Sequence, residues 1–207
     1  LECQRPNEGR SYAKVQALEP ALGIGLFWRP SKSLSLGLSY QSAPNFGSSE
    51  LKGEGQLLVG ENDFDEPNTT SANPKIKFYQ HLPDVIQWGL AYKLNEKTEI
   101  RTSGNYIRWS LFDRQCIARE EAENTCSGQG VLLEIPRDWE DGYAVRVGSS
   151  YWINKDLEVV LDLGYDSNAV PDERLDPALF DTTKQTVGAG AYFSPMDGMT
   201  LGLMYTQ

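Results

Sequence analysis

An antiparallel transmembrane β-barrel is the fold class this sequence predicts, and three observations predict it. Apolar residues alternate with small or polar ones in period two through segment after segment. Tyr and Trp collect near the ends of those segments. The connections alternate between short turns and long polar stretches, the loop pattern of barrels that cross a bilayer. About eight strands are expected in one all-β domain covering residues 1–207, at roughly 17–28, 33–58, 75–94, 98–112, 131–152, 157–167, 184–193 and 200–207.

The first strand ends in Phe27-Trp28 before the short turn Arg29-Pro30-Ser31-Lys32. The second opens with Leu34, Leu36, Leu38 and Tyr40 on one face and Ser33, Ser35, Gly37, Ser39 and Gln41 on the other. A long polar segment follows at about 59–74. Its Asn62-Asp63-Phe64-Asp65-Glu66 stretch resembles an acidic calcium loop only loosely, lacking the Gly and distal Glu spacing of an EF-hand, and reads as a solvated loop. In the third strand Ile86, Trp88, Leu90, Tyr92 and Leu94 oppose Val85, Gln87, Gly89, Ala91 and Lys93, with a kink expected at Leu82-Pro83-Asp84 because proline cannot donate to a ladder.

Asn95-Glu96-Lys97 makes the next short turn. The fourth strand places Arg101, Ser103 and Asn105 on one face. Ile107 and Trp109 continue that parity, so either an apolar path lines the same face or a bulge swaps faces. The segment at about 114–130 is expected to be a long loop. Cys116 and Cys126 flank its polar core and could close it as a disulfide, which needs an oxidising compartment; two free thiols are the alternative. Cys3 is left without a partner.

The fifth strand kinks at Ile135-Pro136-Arg137 and then sets Tyr143, Val145, Val147, Ser149 and Tyr151 against Gly142, Ala144, Arg146, Gly148 and Ser150. After Asn154-Lys155-Asp156, Leu157, Val159, Leu161, Leu163 and Tyr165 oppose Glu158, Val160, Asp162, Gly164 and Asp166. A third long segment spans about 167–183. The last two strands are joined by Ser194-Pro195-Met196-Asp197-Gly198, and the final one sets Leu201, Leu203 and Tyr205 against Thr200, Gly202, Met204 and Thr206. If the short turns face the periplasm, both ends of the chain lie outside the cell, so a piece lacking strands at both ends is expected.

Charge and hydropathy narrow the function classes. The chain carries 19 Lys+Arg against 29 Asp+Glu, a formal charge of -10, which argues against nucleic acid because phosphate binding needs a basic surface. The balance suits water or divalent-rich lipopolysaccharide, though a soluble protein looks the same. A mean hydropathy of -0.46 is compatible with a membrane barrel, where only alternate strand residues meet lipid. No run approaches the roughly 18–20 apolar residues of a membrane helix.

The C-terminal half carries a resemblance. Arg137-Asp138-Trp139-Glu140-Asp141-Gly142-Tyr143 through Tyr151 resembles the Trp-x-Asp segment of the FadL/TodX family of outer-membrane hydrophobic-compound transporters. Leu163-Gly164-Tyr165-Asp166-Ser167-Asn168-Ala169-Val170-Pro171-Asp172, followed by Pro177, Leu179 and Asp181 and then by Gly188, Gly190 and Tyr192, is similar to that family's Tyr-Asp strand end, proline-bearing turn and Gly-rich strand. Asn105-Tyr106-Ile107-Arg108-Trp109-Ser110, Leu82-Pro83-Asp84 and Leu36 through Ser42 fit as well. Asn168-Ala169 and Phe180 depart from the pattern, and the family's plug and lateral opening have no counterpart here. The resemblance implies part of a fourteen-stranded outer-membrane barrel that passes hydrophobic small molecules, foremost long-chain fatty acids, with aromatic hydrocarbons as the other ligand class.

Candidate ligand or lumen residues are Arg101, Asn105, Trp109, Trp139, Arg146, Asp162 and Asp166. A lumen guanidinium can hold a carboxylate through two hydrogen bonds. The bland alternative is an internal ion-pair network, with Arg146 on one strand pairing Asp162 on its hairpin partner. Trp139 and Asp141 belong either to a ligand route or to a structural kink at the barrel rim. His81 stands alone among histidines, so neither a zinc set nor a Ser-His-Asp constellation is formed, and no enzyme or cofactor is expected. The expected partners are a hydrophobic ligand, outer-membrane lipid and lipopolysaccharide, around a monomer. A soluble extracellular β-sandwich binding module and a structural or adhesive outer-membrane barrel are the rival readings.

Overall fold

The computed structural model describes residues 10–58, 75–122, 126–175 and 181–207. Among the described residues, thirteen strands fall into two antiparallel sheets. The larger, eight-stranded sheet has the order β13-β12-β11-β10-β7-β6-β3-β2. Its members are β2 (Gly23–Trp28), β3 (Leu34–Gln41), β6 (Val85–Asn95), β7 (Thr98–Ile107), β10 (Gly142–Asn154), β11 (Leu157–Asp166), β12 (Lys184–Met196) and β13 (Met199–Thr206). The smaller, five-stranded sheet has the order β1-β4-β5-β8-β9. It contains β1 (Arg10–Gln16), β4 (Ser48–Leu58), β5 (Lys75–His81), β8 (Arg114–Arg119) and β9 (Val131–Pro136).

Consecutive strands of the large sheet are joined at one end by tight turns. Asn95 and Asn154 solve the same problem twice: each side-chain Oδ1 accepts from the backbone N–H two residues on, of Lys97 and Asp156, at 2.8 Å. These Asx contacts fix a two-residue hairpin. Asp197-Gly198 closes the last hairpin with Gly198 at φ 82°, which a side chain rarely tolerates. At the opposite end the strands break and re-form as the small sheet.

The breaks explain where the expected strands divide. The 33–58 segment splits into β3 and β4 around Ala43-Pro44, 75–94 into β5 and β6 at Pro83, and 131–152 into β9 and β10 after Pro136. The expected 17–28 strand begins only at Gly23, because Pro20 removes a ladder donor. Instead, the Pro20 carbonyl accepts from the Asn45 N–H and Leu22 exchanges bonds with Ser42. The 98–112 strand stops at Ile107, where the chain enters a 3-10 turn at Trp109–Leu111.

The segment expected as a loop over 114–130 starts instead as strand β8, paired with β5 and β9. Its Ile117 takes the apolar face while Cys116 and Ala118, both buried, take the other. Cys116 and Cys126 are joined by a disulfide. The acidic stretch at 62–66, Cys3, Pro177, Leu179 and Phe180 lie outside the described residues.

Register in the large sheet separates two faces. One carries tiers such as Leu36, Leu90, Thr102, Val147, Leu163 and Val187. This face is open: Leu38, Leu161, Leu163 and Leu203 expose 54%, 61%, 59% and 79% of their surface. Exposed aliphatics in one contiguous band are what a lipid-contacting wall presents and a water-soluble core does not. Tyr40, Tyr106 and Tyr143 form a tier of this face at its outer end, and Tyr92 and Tyr151 stand near the turns.

Candidate functional site

The other face of the large sheet is small and polar, and it is concave. Three successive tiers can be read from the register. The outermost holds Ser39, Gln87, Asn105, Ala144, Asp166 and Lys184. The next holds Phe27, Gly37, Gly89, Ser103, Arg146 and Gly164. The third, nearer the tight turns, holds Ser35, Ala91, Arg101, Gly148, Asp162 and Gly188. The second and third tiers line a groove of about 450 Å³ in which Phe27, Arg101, Arg146 and Asp162 are the large side chains over a floor of Gly37, Gly89 and Gly148.

The two arginines of this groove diverge. Arg101 reaches toward the turns, its Nε lying 2.5 Å from Glu99 Oε1, and Glu99 is buried in the tier below. Arg146 reaches outward, its Nη2 lying 3.2 and 3.1 Å from the two oxygens of Asp166. The expected pairing of Arg146 with Asp162 is therefore not the one formed. Asp162 stands opposite Gly148 on one side and Gly188 on the other. Its carboxylate lies over Gly188, so close that a Cβ built there would meet Oδ1 at 2.3 Å. Lacking a side chain at 188, β12 gives this carboxylate room to turn away from β10, and Arg146 takes the other acid of its hairpin.

Trp109 and Trp139 do not belong to these tiers. They meet at the elbow between the two sheets, with ring centroids 4.9 Å apart, and Phe112 completes the cluster at 6.0 Å from Trp109 and 4.8 Å from Trp139, all edge-on. Trp109 packs against Gly142. The Trp139 indole N–H is buried without an acceptor among the described residues. Ile107 keeps the inner register, opposite Val85 and Gly142, so no bulge swaps the face before the strand ends.

Charged groups clamp the elbow from the other side. Arg108 donates to both oxygens of Asp84, at 2.9 Å from Nε and 2.6 Å from Nη2. The Tyr40 hydroxyl adds a third bond to Asp84 at 3.0 Å. Asp141 accepts from the Ser110 N–H at 2.9 Å and from the Tyr106 hydroxyl. Partial burial pulls the Asp141 carboxyl upward, but the Tyr106 and Ser110 donors and the Arg108 charge outweigh it and hold the group below its ordinary value. Asp141 therefore accounts for half of the Trp-x-Asp pattern: its carboxylate holds the 3-10 turn, and the Trp two residues before it fills the elbow. Sequence reading missed Asp84 and Arg108 as a pair; their spacing of 24 residues becomes a contact only through the β6–β7 hairpin.

The small sheet has its own order. Leu51, Ile76, Phe78, Ile117 and Leu133 share one face; Glu50, Lys52, Tyr79, His81 and Cys116 share the other. On the polar side Ser48, Glu50, His81, Asp113, Arg114 and Cys126 line a second hollow of about 450 Å³. His81 Nδ1 lies 3.1 Å from Asp113 Oδ1. Burial raises Asp113 somewhat, yet hydrogen bonds from His81 and Arg114 bring it below the ordinary carboxylate range.

Residues 4–207 match the model of the outer membrane protein transport family described as OMPP1/FadL/TodX. Among curated proteins, an outer membrane protein of Neisseria meningitidis serogroup B is 24% identical over 103 residues, half of this chain and 22% of that protein. Among solved structures, a Pseudomonas aeruginosa FadL homologue superposes with a TM-score of 0.74 at 17% identity, covering 97% of this chain and 46% of its own. The CymD monoaromatic hydrocarbon channel gives 0.60 at 13% identity, covering 99% and 53%. The Pseudomonas putida toluene transporter TodX gives 0.54 at 17%, covering 89% and 42%. The chain thus spans about half the length of these barrels and under a quarter of the curated relative.

Proposed function

We propose a function from one premise: the chain belongs to the outer membrane protein transport family OMPP1/FadL/TodX. It is an outer-membrane β-barrel chain of a family of transport proteins, and its own task is to form part of the wall along which hydrophobic small molecules cross that membrane. The observation that carries this reading is the two-faced large sheet, greasy and open on its convex side, glycine-floored and grooved on its concave side. Transfer is passive. Each methylene that leaves water contributes about 0.8 kcal/mol, so apolar contact with the small sheet and the groove suffices to draw a ligand in.

Long-chain fatty acids are one form of such a ligand and aromatic hydrocarbons another; both solved channels named above for toluene or monoaromatic hydrocarbons share the fold. In this wall Arg101 and Arg146 already hold Glu99 and Asp166. A fatty acid would therefore be retained by its chain, not by pairing of its headgroup with either arginine.

Equilibrium binding of labelled toluene and labelled oleate to the full-length protein in lipid nanodiscs tests the reading. Saturable binding of at least one, above that of empty nanodiscs, is expected. Absence of saturable binding for both would replace it with a structural or adhesive barrel.

A further inference from the structure

We propose that Asp162 is a selectivity residue of the concave groove, disfavouring anionic ligands and leaving passage to uncharged apolar ones. The proposal rests on the transport reading above and narrows its substrate class. Three charged side chains line the groove, and two of them are accounted for. Arg101 is drawn toward the turns by Glu99, and Arg146 is drawn outward by Asp166. The third, Asp162, has no hydrogen-bond or ion-pair partner among the described residues, although it lines the same groove as both arginines.

Geometry keeps it so. Gly148 and Gly188 flank Asp162 in its own tier, and neither offers a side chain to neutralise or cover it. Its carboxylate lies against the bare backbone of Gly188, within the space a Cβ would occupy. It stands on β11 beside a floor that is glycine on β3, β6 and β10, so a ligand in the groove lies within reach of its charge. The two guanidinium charges are each cancelled by a nearer acid, and the net charge the groove shows a ligand is that of Asp162. A hydrocarbon or an alcohol meets only a polar edge, to which a hydroxyl can donate. A carboxylate meets a like charge, which at a few ångströms to about 8 Å in a partly hydrated groove weakens binding by roughly five- to tenfold.

Decan-1-ol and decanoate separate the two cases, since they share one chain and differ in charge. Binding of each labelled compound to the full-length protein in neutral-lipid nanodiscs is measured at pH 8, where decanoate is ionised. The unaltered protein is expected to favour the alcohol, and Asp162→Asn, which keeps size and shape, to improve decanoate by roughly five- to tenfold while leaving the alcohol within about twofold. An unchanged ratio in a correctly assembled variant, or preference of the unaltered protein for decanoate, overturns the proposal. Should the variant fail to assemble, ionic strength replaces it. Salt screens a like charge, so decanoate binding should tighten between low and high salt while decanol binding stays level; a flat or falling decanoate response rejects the proposal. If neither compound binds saturably, the transport reading falls and the selectivity proposal with it; if the alcohol alone binds and Asp162→Asn changes nothing, only the selectivity proposal falls.

Discussion

The same antiparallel hairpins build both sheets, yet the sheets are stabilised in opposite ways. The large sheet has almost no apolar core: its large aliphatics are open on one side and its other side is largely glycine, serine and charged residues. The small sheet buries Ile76 to 2%, Ser49 to 1% and Cys116 to 1%, and a disulfide crosses from it to Cys126. The difference teaches that solvent, and not strand content, decides what a sheet must bury. Hydrocarbon solvates the outward row of the first, so only the backbone ladder needs closing. The second instead buries apolar surface and ties Cys116 to Cys126, as a water-exposed sheet does.

That contrast can be broken or sharpened by substitution. The largest effect is expected from Ile76→Ala, which removes a filled position of the small sheet at a cost of about 2–5 kcal/mol. Limited proteolysis should open residues 48–58 and 114–136 while heat-modifiable migration of the large sheet persists; loss of both together would mean that the sheets are one cooperative unit. Next is Leu161→Arg, which places a charge in hydrocarbon at about 2–4 kcal/mol, measured by refolding into lipid vesicles. Ser39→Arg, on the concave face of β3 in the same sheet, should be much milder; equal penalties would end the two-face assignment.

Removing the bridge by Cys116→Ser should lower small-sheet stability by about 2–3 kcal/mol, since it frees the short loop that the bond closes, with little change in the large sheet. Smallest is the response to acid at the elbow. Asp141 is held below its ordinary value, so the stability it adds is complete above a pH of about 4 and fades as pH falls through its lowered value. Amide exchange at Ser110, whose N–H donates to this carboxylate, should accelerate there before the large-sheet amides respond.

Legibility in the sequence followed the same division. Period-two patterning exposed the large sheet, its eight strands and the facing of Leu161 and Arg146, because lipid and lumen impose opposite demands on neighbouring residues. Pro83 and Pro136 exposed two of the breaks, since a missing donor is a local property. The break at Arg108–Asp113 was not legible, because no proline marks it and its cause is packing of Trp109, Trp139 and Phe112 from distant segments. β8 was hidden for a similar reason: six residues of mixed polarity become a strand only by pairing with β5 and β9. Among the concave residues, parity placed Arg101, Asn105, Arg146, Asp162 and Asp166 together, but which acid each arginine would choose depended on the absence of a side chain at Gly188.

The bare backbone along the concave wall also sets how the bore can be retuned. At Gly25, Gly37 and Gly89 an added Cβ would find neighbours no nearer than 3.7, 4.0 and 3.9 Å, whereas at Gly188 it would strike a carboxylate. Exchanging one of the first three for alanine would narrow the groove by one methyl group in ordinary van der Waals contact with its neighbours, without displacing them. The passage can thus be resized one residue at a time, its calibre separable from the ladder that keeps it standing.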